Sequence, residues 1–500
     1  MIWLLLLFGL ITYFIVQHSV ANLTRTPVWL LWLVMMIPIL IWTGWVVLKG
    51  DAPMPAMLRI MPFIVCSILY WVLFQSGRIT PANSEQKAQS QSQSQSPQEA
   101  ATVVEPRSVV RSIDKEEEAN LQNCFPWSVY YLQNIEHRPQ ALICRGQLRT
   151  SPEAAYKTVQ ENVEALFKDR FLVVFQEGLN GKPFFALVPN PYAKSVPQAA
   201  AAAATQAKLT RPGLALGLLL ATLLTTMLAG VLMGSTEPRL PSSFSELLTG
   251  LPYALSLLTI LGIHELGHYW IARRHHIRAT LPYFIPVPPA GIFPFGTFGA
   301  FIQLRSPTPN RKALFDVGIA GPLAGFVATI PILLWGLAHS TPIPLTEQSG
   351  LLNMASFKPT ASLLLALLSK VALGNQITAE TALKLHPLAV AGCLGLVVTA
   401  LNLMPVGQLD GGHIVHAMFG QRLGAAIGQI ARFLVLGLSF VQKELLFWAI
   451  LLFLMPVVDE PALNDVSELD NGRDFLGLLA LGLLTIIILP APYAVMQFLF

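Results

Sequence analysis

Long unbroken apolar runs dominate this chain, and runs of that length predict membrane-crossing helices, because a span needs about 20 apolar residues. The clearest are Met1–Val16, Pro27–Leu48, Met57–Phe74, Pro212–Met233, Leu251–Ala272, Phe315–Leu337, Pro387–Met404, Leu445–Val458 and Phe475–Phe500, with a weaker one over Ala425–Phe440. They predict a mainly α fold, a polytopic membrane helix bundle of eight to ten spans. The pattern breaks between the third and fourth runs. Gln86 to Gln98 is almost pure Gln and Ser and predicts a disordered linker. After it, Trp127–Leu132 and Gln140–Cys144 read as strands. Thr150-Ser-Pro-Glu153 opens a helix that runs to Phe167, and Phe171–Phe175 with Pro183–Val188 reads as a hairpin around Gly178–Gly181. This is a small soluble α+β domain. The expected organisation is a three-span region over 1–75, a linker over 76–118, the α+β domain over 119–195, a second linker over 196–211, and a membrane domain over 212–500.

Composition sharpens the same division. Hydrophobic residues make up 53% and charged residues 12%, against about 25% charged in an average soluble chain. Of the 60 Lys, Arg, Asp and Glu, 28 fall between Ser76 and Arg211, so the remainder is more apolar than the average implies. A net charge of +4 on such a chain gives no nucleic-acid surface and reads instead as topology signal at helix ends. Arg273-Arg-His-His-Ile-Arg278 is the clearest such anchor and puts the end of the fifth span on the cytoplasmic side. The four cysteines, Cys66, Cys124, Cys144 and Cys393, show no C-x-x-C spacing and are expected as free thiols. No basic n-region precedes the first run and no Arg- and Ser-rich transit peptide is present, so a bacterial membrane protein without a cleaved signal is the simpler expectation.

Chemistry enters in the fifth run, at His264-Glu265-Leu-Gly-His268. H-E-x-x-H occurs by chance about 0.01 times in a chain of this composition. Within an apolar helix each ionisable side chain costs about 2.5–3.5 kcal/mol, so three in five residues need a partner that coordinates or neutralises them. Histidines at i and i+4 share a helix face and can grip one tetrahedral zinc ion. Glu265, turned about 100° from His264, can reach a metal-bound water as general base. The competing reading is a proton-relaying face in a transporter or metal carrier. Zinc sites of the catalytic kind usually take a third protein ligand, and Asp410 is the acid that stands out. It follows Pro405, which stops the preceding apolar helix, and precedes Gly411-Gly412, which allow a sharp turn beside the carboxylate. His413 and His416 could also ligate but read better as packing or interfacial residues. Gly321-Pro-Leu-Ala-Gly325 has the small-xxx-small spacing that brings helices together.

H-E-x-x-H in one span and Asn402-x-x-Pro405-x-x-x-Leu409-Asp410-Gly411 in a later one resemble the site-2 protease family of intramembrane zinc metalloproteases. The likeness extends to the EGY branch of plastids and cyanobacteria through Pro282–Pro288, Gly296–Ser306 and Gly146-Gln-Leu-Arg149, where that branch has G-N-L-R. The resemblance implies one Zn2+ per chain held by His264, His268 and Asp410, with Glu265 as base. It gives Asn402 the task of holding the substrate or the developing oxyanion, against the plainer alternative of an interhelical hydrogen bond. It implies an enzyme of a cyanobacterial plasma or thylakoid membrane whose partners are the lipid bilayer and a membrane-protein substrate, with a transmembrane segment of that substrate cleaved in regulated proteolysis. The Pro- and Gly-rich stretch from Thr280 to Arg305 then reads either as a re-entrant hairpin beside the metal, open to an unwound substrate strand, or as an interfacial loop. The remaining alternative is a catalytically inactive membrane scaffold.

Overall fold

A computed structural model describes residues 115–190, 211–234 and 240–499 apart from short loop stretches, together with the helix 28–49 and scattered neighbours of it. The expected spans 1–16 and 57–74, the Gln/Ser linker and most of 196–211 lie outside the described residues.

The polar segment folds in the expected order of elements, but its first strand starts at Tyr130 and runs to Arg138 instead of covering Trp127–Leu132. After α1 (Val28–Lys49) and α2 (Lys115–Asn123) come β1 (Tyr130–Arg138), β2 (Ala141–Leu148), α3 (Pro152–Phe167), β3 (Phe171–Glu177) and β4 (Pro183–Pro189). Pro152 occupies the first turn of α3, where its missing N–H costs nothing, and Ser151 stands at the cap position, its carbonyl accepting the Ala155 N–H while its side chain makes no cap hydrogen bond. Ala155, Val159, Val163 and Phe167 form one buried stripe, which lies on an antiparallel sheet of order β1-β2-β4-β3. Phe185 stacks on Phe175 at 4.1 Å and takes Tyr130 edge-on at 5.0 Å; each such pair adds about 0.5–1.5 kcal/mol beyond its buried area. Cys124 and Cys144 are buried in this core, and all four cysteines are free.

The second half is helical. It comprises α4 (Pro212–Gly234), α5 (Phe244–Leu248), α6 (Leu251–Arg274), the hairpin β5 (Tyr283–Pro286) and β6 (Thr297–Phe301), and α7 (Arg311–Ala338). A second small ribbon follows, β7 (Thr341–Pro344) with β8 (Thr381–Lys384), enclosing α8 (Leu363–Leu373). Then come α9 (Pro387–Leu403), α10 (Asp410–Leu438), α11 (Leu445–Leu454), α12 (Asn471–Ile488) and α13 (Tyr493–Leu499). Helix α7 is central, packing against α6, α9 and α10. Asn310 starts it by accepting the Ala313 N–H, which satisfies one of the donors a helix N-terminus leaves open.

Among the described residues, α4, α7 and α12 are long and apolar enough to cross a membrane. Helix α6 is as long, at 24 residues, but its ionisable residues dilute its hydropathy. Other expected runs are interrupted. The last splits into α12 and α13 around Pro490 and Pro492, and α11 has only 10 residues. The weak run 425–440 is the second part of α10, which kinks at Gly420, φ 81°. Apolar length alone counted these segments; prolines and the kinking glycine divide them.

Candidate metal centre

Helix α6 carries His264, Glu265 and His268 on its buried side. The chain then leaves α9 at Leu403, passes Pro405 and Gly407, and re-enters a helix at Asp410, the first residue of α10. The turn is made at Gly407, whose φ of 52° is the left-handed value that favours glycine. Gly411 and Gly412 do not make the turn, as the sequence suggested. They lie within α10, and a Cβ at either would stand 2.0 or 2.1 Å from the carbonyl oxygens of Leu403 and Gly407. Their smallness lets the start of α10 press against the end of α9, and that contact brings Asp410 inward.

The result is a compact triangle. His264 Nε2 and His268 Nε2 are 3.2 Å apart, and Asp410 Oδ2 lies 3.5 Å from the first and 3.2 Å from the second. Among the described residues this is the one group of three or more His, Cys, Asp or Glu side chains that could hold a metal ion. Bonds of about 2.0–2.1 Å to a tetrahedral zinc require ligand atoms about 3.3 Å apart, which these edges match. The donor chemistry agrees. His268 Nδ1 donates to the Val317 carbonyl at 2.7 Å, which fixes its tautomer and turns the Nε2 lone pair inward. The Asn402 amide nitrogen donates to His264 Nε2 at 3.1 Å, so that atom also presents a lone pair. With the carboxylate, three lone pairs converge within a buried space. One proton cannot satisfy all three; one divalent cation can.

The glycine stripe proves to be the wall of this site. A Cβ on Gly321 would stand 2.0 Å from His268 Nε2, and one on Gly325 would stand 3.0 Å from His264 Nδ1. The small-xxx-small spacing of α7 was legible in the sequence, but its register against the two histidines was not. Glu265 is buried beside the triangle, 7% exposed, with the Ile302 backbone close to its carboxylate. Ile302 directly follows β6, so the hairpin borders the site. The pairing Tyr283↔Phe301 and Phe284↔Ala300 forms the ribbon, and α4 holds its far end: Thr225 Oγ1 donates to the Gly296 carbonyl at 2.6 Å. Gly296, φ 81°, would carry a Cβ 2.5 Å from the Thr225 carbonyl. Backbone approaches closely there, while Gly299 faces open space.

His413 and His416 stand apart from the triangle. Both donate to Asp459 Oδ2 at 2.8 Å, and His416 also reaches Asp465 at 3.0 Å. Neither carboxylate was singled out in the sequence, where they lie in an unremarkable loop.

Residues 252–441 match the model of peptidase family M50. The chain is 36% identical over 242 residues to the probable zinc metalloprotease EGY1, chloroplastic, of Arabidopsis thaliana, covering 48% of this chain and 43% of that protein. It is 30% identical over 386 residues to the probable zinc metalloprotease EGY2, chloroplastic, of Oryza sativa subsp. indica, covering 74% and 65%. The EGY2 protein of Arabidopsis thaliana gives 29% over 382 residues, with 74% and 64% covered. The chain thus spans between about two fifths and two thirds of the length of these relatives. No solved structure matches. The M50 match spans both arms of the His264–His268–Asp410 triangle, and with these relatives it supports the chain as an EGY-like member of the peptidase M50, or site-2 protease, family.

Proposed function

We propose that this chain is an intramembrane zinc endopeptidase that hydrolyses a peptide bond in or near a transmembrane segment of another protein. The observation that carries this reading is the triangle of lone pairs, whose edges fit a tetrahedral zinc. His264, His268 and Asp410 would hold one Zn2+, which when bound supplies a positive charge that polarises a carbonyl and acidifies water. Glu265 is the base. Its carboxylate lies one residue from a ligand, is shielded from bulk water, and is poised to accept the proton of the attacking water and pass it to the departing amine. The Asn402 amide, which donates to His264 Nε2 at 3.1 Å, would turn that N–H to the substrate's carbonyl oxygen, on which negative charge develops.

The surrounding elements suit the same task. We read α1, α4, α6, α7, α9, α10 and α12 as parts of a polytopic bundle, with β5–β6 as a re-entrant hairpin. Its backbone edge would accept an unwound substrate stretch. Residues 119–195 form the soluble domain and 212–500 the protease domain in this reading. The location is a photosynthetic membrane system, plasma or thylakoid membrane. Kinship with relatives named chloroplastic supports the membrane and the plastid lineage, and not the bacterial origin read from the first residues. Release of a membrane-tethered regulator is the proposed outcome. No observation favours transport or an inactive scaffold.

The test is Glu265→Gln in purified full-length protein, with a susceptible membrane-protein substrate and zinc measured in the same sample. We expect one zinc per chain in both forms and cleavage reduced at least about 100-fold in the variant. Cleavage near the wild-type rate would remove Glu265 as the base.

A further inference from the structure

A loop between α11 and α12 ties the soluble sheet to the helix that carries Asp410. Leu463 and Asp465 pair with the edge strand β3. The Phe175 N–H donates to the Leu463 carbonyl at 2.6 Å, and the Asp465 N–H donates to the Phe175 carbonyl at 2.9 Å. Val466 packs on the core of the soluble domain. The opposite edge of the same segment pairs with the chain entering α7: the Leu463 N–H donates to the Thr308 carbonyl and the Asn464 N–H to that of Pro309. Residues 463–465 therefore bridge the β3 edge at Phe175 and the start of α7 at Asn310, clasping one to the other.

The side chains of this loop continue the connection inward. Asp465 accepts from Arg311 Nε at 3.3 Å and from His416 Nε2 at 3.0 Å. Asp459 Oδ2 accepts from His416 Nδ1 and His413 Nδ1, each at 2.8 Å, while its Oδ1 takes the Glu460 N–H and its backbone carbonyl takes Gln421 Nε2. Carboxylates only accept, so His416 donates from both ring nitrogens. Two carboxylates then balance one guanidinium and one imidazolium, with side chains 2–10% exposed. His413 and His416 lie three and six residues after Asp410. Holding both fixes how the first two turns of α10 are rotated about their axis. A rotation of about 20° would sweep a carboxylate oxygen, about 6 Å from that axis, by about 2 Å. Such a shift would break edges of 3.2–3.5 Å.

From this we infer that Asp459 and Asp465 are positioning residues of the metal centre, and that the soluble sheet domain, by bridging to 463–465 at the β3 edge, holds Asp410 in ligating register. The inference rests on His264, His268 and Asp410 being the metal triad. It gives the soluble domain a task in the chemistry, and makes any partner that competes for the β3 edge an antagonist of metal retention.

The test uses the full chain in detergent loaded with cobalt(II), whose visible absorption reports ligand geometry, followed by challenge with a chelator. Asp459→Asn forces an amide NH2 against either the Glu460 N–H or the two imidazole donors. It is expected to release cobalt about tenfold faster than wild type and to weaken the tetrahedral absorption bands, as is Asp465→Asn, with Asp459→Glu restoring part of the effect. Asp410→Asn is the control for the triad itself. If it loses cobalt while both loop variants keep wild-type release and spectrum, the positioning role is overturned and the triad stands. If Asp410→Asn also keeps its cobalt, the triad fails and the inference fails with it. Should the loop variants not fold, the wild type suffices, because coupling is reciprocal. Removing cobalt is expected to speed amide exchange at Asp465 and Phe175, and unchanged exchange there would overturn the inference.

Discussion

Gly321 shows how little room the centre leaves. A methyl group there would stand 2.0 Å from the nitrogen of His268 that faces His264 and Asp410, well inside any van der Waals contact. Neither helix can yield easily, since α6 and α7 pack along their length and interiors of this kind are close-packed. Gly321→Ala is therefore expected to displace the imidazole and abolish zinc binding, while helix content by circular dichroism stays near wild type. Full zinc stoichiometry in that variant would mean that the two helices are not held at this separation. The sequence made the residue types readable here. H-E-x-x-H announces its chemistry through a spacing of four, and Asp410 through a carboxylate in an apolar setting. The glycine's role was half legible, because small-xxx-small spacing says that a helix is approached closely but not by which side chain.

The joint between α9 and α10 decides whether Asp410 faces inward. Gly407 combines a left-handed φ with a missing side chain whose Cβ would lie 2.1 Å from the Pro456 carbonyl. Arg432 holds that neighbouring segment, donating to the carbonyls of Met455 and Pro456 at 3.1 and 2.8 Å. Gly407→Ala adds the left-handed penalty of about 1–2 kcal/mol to a clash with fixed backbone. A clear fall in thermal unfolding temperature in detergent is expected, together with faster zinc loss, and an unchanged melting profile would contradict the geometry. Helix starts and stops were the most readable elements, because proline and capping residues act locally. The sharp turn was expected at Gly411-Gly412 and is made instead at Gly407. Glycine marks either a turn or a close approach, and only the packed neighbour distinguishes the two.

Across the whole molecule the soluble domain is docked on the helical half by more than the clasp at 463–465. Lys312 Nζ, at the start of α7, meets Glu153 Oε1 at 2.7 Å, and Arg422 donates to the Gly178 carbonyl. The compactness of the sheet itself can be tested through its thiol. Burial pushes the Cys144 thiol up to about 12, with neighbouring Cys124 adding to the rise, so at pH 8 only about one molecule in 10,000 carries the reactive thiolate. Maleimide labelling of Cys144 at pH 8 is expected to be negligible in the native chain and rapid after denaturation. Fast native labelling would show that the sheet opens far more readily than its packing implies.

By itself the sequence determined the properties that neighbouring residues settle among themselves. These are the contrast between lipid-like and water-like segments, the alternation and turns of the small domain, and a helix face bearing two imidazoles and an acid. Tertiary structure decided everything that depends on segments distant in the chain. It set the strand order β1-β2-β4-β3, the register of the glycine stripe against the histidines, the convergence of Asp410 and Asn402 on them, and the loop that joins sheet to helix. Hydrophobic patterning says that a surface must be covered but is indifferent to what covers it. The choice among partners is made by shape, by the fit of missing side chains to carbonyls and rings, and that information exists only once the segments have met.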